Sequence, residues 1–93
     1  MTRRELAKKV AREYLKRRCR DKYVLLFHVA CEIDSVFRKK FKWKRKVELH
    51  SSLFDYTNYV PNAKWVPAEK LTNTLCRGLA GKFYVVENPY YQG

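Results

Sequence analysis

All of the net positive charge of this chain lies in its first half, which limits what that half can fold into. Residues 1–46 carry 17 Lys/Arg against 5 Asp/Glu, a net of +12, whereas residues 47–93 carry 4 against 4. Cations at this density are not buried in a core. Each element built from residues 1–46 must therefore turn one apolar face inward and keep a cationic face in water. The basicity is a localised surface, and it peaks at residues 37–46, FRKKFKWKRK.

The apolar residues of that half meet this requirement at helical spacing. Thr2 and Glu5 form a capping box, in which the Thr2 hydroxyl accepts from the Glu5 backbone N–H. Leu6, Val10 and Tyr14, flanked by Ala7, Ala11 and Leu15, make one stripe, with Lys8, Lys9, Arg12 and Lys16 opposite. Arg17, Arg18 and Arg20 close this basic N-terminal helix over residues 1–22, where the macrodipole favours cations. Asp21 is the expected N-cap of the next helix. Residues 23–27, YVLLF, read alone as a strand, but over the longer window Leu26, Ala30, Ile33, Phe37 and Phe41 share one face with Val29 beside them. The spacing predicts a helix over 23–42. Phe37 and Phe41, four apart, then belong to the core.

The second half predicts shorter elements. Residues 45–49 suit a short strand, and Ser51 or Ser52 can cap a helix over 51–58. Pro61 and Asn62 mark a turn. Pro67 and Gly81 bracket a helix over 67–80, with Ala68, Leu71, Leu75 and Leu79 inward and Lys70, Asn73, Thr74 and Arg77 outward. Lys82–Glu87 is a strand by composition, Asn88 and Pro89 break it, and Tyr90 and Tyr91 are expected to return antiparallel.

Several function classes are disfavoured. At 93 residues with 46% hydrophobic and 15% aromatic content, the chain is expected to fold as one domain. The longest nearly uncharged apolar stretch, residues 23–31, falls well short of the roughly twenty needed to cross a bilayer. The opening residues lack a signal-peptide pattern, so a cytoplasmic protein with no membrane partner is expected. Cys19, Cys31 and Cys76 cannot all pair, and buried free thiols are the default. Arg17, Arg18 and Arg20 would favour a thiolate at Cys19. His28 and Cys31 form an isolated pair that falls short of a zinc ligand set, even with His50 considered. Neither a metal nor another cofactor is expected. The three glycines, at positions 78, 81 and 93, offer no phosphate loop. Glu32 and Asp34 point apart on a helix, and Ser51 and Ser52 beside His50 are better read as caps. No enzyme is expected.

The order helix, short strand, helix, turn, helix, strand, break, strand resembles a winged helix-turn-helix domain with an extra N-terminal helix. The implied fold is mainly α with a small antiparallel β-hairpin, the winged-helix-like core covering 23–93. On this resemblance 23–42 and 51–58 are the first two core helices, 67–80 is the recognition helix and 83–91 the wing. The short, uncharged wing tip implies little phosphate binding there.

The expected partner is nucleic acid, with duplex DNA favoured, because clustered cations release condensed counterions when they neutralise phosphates. Phosphate contacts are expected from Arg17, Arg18, Arg20, Arg38, Lys39, Lys40, Lys42, Lys44, Arg45 and Lys46. Base reading or stacking is expected from Trp43, Lys70, Asn73, Thr74 and Arg77. A small transcription-regulator-like module, dimeric so as to double its half-site, is one reading. A non-specific nucleoid, nucleocapsid or RNA-binding protein is a second, and a module meeting an acidic protein is a third.

Overall fold

The computed structural model describes residues 1–42, 56–60, 62–71 and 81–92. Among them, α1 (Arg3–Glu13) is followed by β1 (Tyr23–Leu25), α2 (Leu26–Phe41), β2 (Ala63–Pro67) and β3 (Lys82–Glu87). Thr2 caps α1 as expected, its hydroxyl oxygen accepting from the Glu5 N–H at 3.1 Å. The helix continues through Tyr14–Arg18 as a π-helical turn. Leu6, Ala7, Ala11 and Leu15 are buried, and Val10 and Tyr14 pack against them. Lys8, Lys9, Arg12 and Lys16 face water.

The expected helix over 23–42 begins three residues late, at Leu26. Tyr23, Val24 and Leu25 are taken instead by an antiparallel ladder with Glu87, Val86 and Val85 of β3. Asp21 is accordingly not a helix cap. Leu25 stands at the N-cap of α2 without a side-chain hydrogen bond. The inward face of α2 is the expected one, with Leu26, Val29, Ala30, Ile33 and Phe37 buried. Phe41 meets Phe37 edge to face at 5.5 Å. Lys42 ends the helix in the left-handed region, at φ 52° and ψ 37°.

A three-stranded antiparallel sheet in the order β1-β3-β2 replaces the expected hairpin. β3 coincides with the expected strand, and Ala63, Trp65 and Pro67 of β2 lie opposite Val86, Tyr84 and Lys82. Val24 and Val86 join the helical core, with Ala63 and Tyr84 packed against it. Tyr90 and Tyr91 do not return antiparallel. The Tyr90 N–H donates to the Asn88 side-chain oxygen at 2.9 Å, which folds the chain into a turn, so residues 83–91 form no wing hairpin.

The helix expected from Pro67 is not continuous. Pro67 ends β2, Ala68–Lys70 form a single 3₁₀ turn, and Leu71 is extended at φ −80° and ψ 124°. The fixed φ of proline suits extended chain as well as a first helical turn. A 2.8 Å bond from the Ala68 N–H to the Gly81 carbonyl ties the exit of β2 to the entry of β3. Gly81, with φ 94°, and Asn62, with φ 63°, take the left-handed backbone that turns demand. The Tyr56 carbonyl accepts from the N–H groups of Tyr59 and Val60, closing one helical turn before Asn62. The rest of the expected 51–58 helix, the strand at 45–49, Pro61, and residues 72–80 with Leu75 and Leu79 lie outside the described residues.

Candidate nucleic-acid interface

The cationic surface is built on the outward face of α1. Arg4, Lys8, Arg12 and Lys16 recur every fourth residue and are exposed. At about 1.5 Å of rise per residue, successive members sit roughly 6 Å apart along one side of the helix. Lys9 and Arg17 flank them, and Glu5 and Glu13 are the only carboxylates in this helical segment. Lys8, Lys9, Arg12 and Lys16 are absent from the phosphate contacts expected on sequence grounds, although their place opposite the apolar stripe is evident there. The i, i+4, i+8 spacing of the cations is the signal that finds them.

α1 and α2 run in opposite senses. The Arg3 guanidinium lies 5.3 Å from the centre of the Phe41 ring, at the end of α2. Arg18 instead donates to Glu32, in the middle of α2, at 2.7 Å. The expected phosphate contacts are thereby split. Arg17, Arg18 and Arg20 stand at one end of the helical pair, and Arg38, Lys39, Lys40 and Lys42 at the other. Arg3 and Arg18 are separated by roughly 20 Å of helix, and the α1 stripe spans the gap.

Individual residues differ in what else they do. The Arg38 Nε donates across 2.8 Å to the carboxylate of Asp34, a buried residue one turn earlier. The Arg18 guanidinium also lies 5.6 Å from the Tyr14 ring centre. With the Arg18 side chain 63% exposed, its pair with Glu32 is of a kind worth about 0–1 kcal/mol, small enough to exchange for a phosphate. Arg17, Arg20, Lys39, Lys40 and Lys42 are exposed, and Lys70 is exposed on the 3₁₀ turn. Trp43, Lys44, Arg45, Lys46, Asn73, Thr74 and Arg77 lie outside the described residues.

Two aromatic features stand apart from the contacts expected on sequence grounds. Trp65 is 55% exposed on β2, its ring 4.7 Å from that of Tyr84. Tyr90 and Tyr91 are exposed beside the end of α1, where they line a groove of about 710 Å³ with Lys16, Arg17, Cys19, Arg20, Pro89 and Gln92. Asn88 fixes that turn. It is buried, and its amide donates to the carbonyls of Leu15 at 3.1 Å and Asp21 at 3.2 Å. Leu15 stands in the last turn of the helical segment, where backbone carbonyls lack helical partners, and Asn88 supplies one from 73 positions along the chain.

The thiol chemistry differs from expectation. Cys19 is half-buried and Cys31 exposed, while Cys76 lies outside the described residues. Burial pushes the Cys19 thiol above its ordinary range and the Asp21 charge raises it further, against hydrogen bonding with the Asp21 backbone and the Asn88 side chain, which lowers it. The neighbouring arginines therefore do not make it a thiolate. Among the described residues no three His, Cys, Asp or Glu side chains gather as a metal site. No helix among them is long and apolar enough to cross a membrane. Comparison with protein-family models, curated proteins and solved structures finds no match to this chain.

Proposed function

We propose that this chain is a nucleic-acid-binding protein that holds a phosphate backbone along the outward face of α1 and the basic end of α2. The observation that carries this reading is the row Arg4, Lys8, Arg12 and Lys16, exposed and regularly spaced, with further cations at both ends. Such a row repels itself unless a polyanion lies along it, and each phosphate it neutralises releases counterions. Arg17, Arg18, Arg20, Arg38, Lys39, Lys40 and Lys42 extend the contact, with Lys44, Arg45 and Lys46 continuing it in sequence.

A finer reading, a winged helix-turn-helix regulator, draws support from one feature of the sheet. A strand inserted between two helices, with the last strand lying between the first and second, suits such a domain if the β2–β3 connection takes the place of the wing. Base reading would then fall to that connection, which holds Lys70, Asn73, Thr74 and Arg77, and to Trp43 in the segment that follows α2.

Titration of duplex DNA at several salt concentrations tests the main reading. Changing Lys8, Lys9, Arg12 and Lys16 together to Ala is expected to weaken binding to all sequences alike. It should flatten the slope of log K against log salt by about three to four, at about 0.9 for each phosphate no longer neutralised. An unchanged slope would remove α1 from the interface. Comparing a selected with a scrambled site tests the finer reading, since Asn73→Ala or Arg77→Ala should cost about 1–3 kcal/mol on the selected site alone.

A further inference from the structure

We propose that the groove between the end of the first helical segment and the turn at Pro89 and Tyr90 receives an unpaired nucleotide at a strand end. In it, Arg17 and Arg20 meet the phosphate and Tyr90 and Tyr91 meet the base. The inference rests on the nucleic-acid reading above and adds a second kind of contact to it.

The chemistry of the walls selects this occupant. One wall supplies Lys16, Arg17 and Arg20, none of which has an ion-pair partner among the described residues. The other supplies two exposed phenol rings. The Lys16 ammonium stands 6.0 Å from the centre of the Tyr90 ring, so cations and aromatics meet inside the groove rather than at separate ends of it. A volume of about 710 Å³ lies within the range of small-ligand clefts and well below what a duplex would need. A base inside a duplex has both faces covered by its neighbours, so away from a duplex end the rings at this site can stack only on a base released from pairing.

The groove is also held in shape before any ligand arrives. The Asn88 N–H donates to the Lys22 carbonyl at 2.8 Å, and its own carbonyl and side-chain oxygen accept from the N–H groups of Tyr91 and Tyr90. With the two amide bonds to Leu15 and Asp21, these fix the backbone that carries both rings against the π-helical end of α1. A site ordered in advance loses less entropy on binding. An adjoining groove shares Lys16, Arg17 and Tyr90 and runs back along Lys9, Arg12 and Glu13. A strand leaving the first groove therefore passes onto the phosphate row of α1, with Glu13 the one carboxylate along that second wall.

The test compares a blunt DNA duplex with one of equal phosphate count that ends in a short single-stranded overhang. The intact protein is expected to bind the overhang duplex about tenfold more tightly, and Tyr90→Ala with Tyr91→Ala should bring that ratio close to one. Tyr90→Phe with Tyr91→Phe should keep the preference, because stacking needs the ring and not the hydroxyl. Equal affinity of the intact protein for the two duplexes, or a preference that survives removal of both rings, would overturn the inference and leave the α1 contact standing. Binding confined to the overhang duplex would support the groove and sink the α1 contact, and binding to neither would remove both.

Discussion

Asn88 spends both amide hydrogens and its amide oxygen on protein groups, donating to Leu15 and Asp21 and accepting from Tyr90. Such a residue is costly to replace, because its partners remain in place without their bonds. Asn88→Ala is expected to destabilise the protein by about 1–3 kcal/mol in a urea titration. Asn88→Asp should be worse at neutral pH, since it turns a second oxygen toward two carbonyls and buries a charge. Burial raises the folded-state pKa of such a carboxyl, so its penalty should shrink as pH falls and the group is protonated. Near-neutral effects of both changes would mean that the turn is not held by this side chain. Nothing in the sequence around Asn88 and Pro89 marks this role beyond a break in a strand. A partner 73 positions away is a tertiary fact, and local chemistry does not encode it.

Lys42 shows how an element can end at a residue poorly suited to its conformation. Its φ of 52° lies where a β-carbon crowds the backbone, at a cost of about 1–2 kcal/mol that glycine avoids. Lys42→Gly is expected to raise the denaturation midpoint, by up to about 1 kcal/mol in stability, while weakening polyanion binding if Lys42 touches phosphate. A loss of stability would mean that the helix does not stop there in solution. The elements whose signals are periodic are legible in the sequence: the buried stripes of α1 and α2 fall where i, i+4 spacing puts them, and Lys82–Glu87 follows its β-branched and aromatic composition. β1 is not, because residues 23–25 continue an apolar helical pattern, and what makes them a strand is a ladder with residues 85–87. β2 is hidden for a related reason. Pro67 fits the start of a helix and the end of a strand equally well, and pairing with Lys82 decides between them.

At the scale of the molecule, the net charge of +12 works against compactness. Screening by salt should relieve that repulsion, so the midpoint of thermal unfolding is expected to rise between about 20 mM and 200 mM sodium chloride in the absence of ligand. Added duplex DNA should raise it further at low salt, because binding adds about 2.7 kcal/mol of stability at a hundredfold excess over Kd. That second effect should fade as salt weakens binding. A midpoint indifferent to both would show that the cations are spread too thinly to act together. The existence of a basic surface is plain from composition, but its layout is not, since two clusters near each other in a linear reading are held apart by the opposed directions of α1 and α2. The placement of β3 has one more consequence. It follows in the chain both of the strands it joins, so neither edge of the sheet has a partner until β3 has left the ribosome. The contacts of α1 and α2 with each other lie within residues 1–42, so the two helices can pair during synthesis, whereas the sheet must close afterwards over long loops, which makes it the slower part of folding.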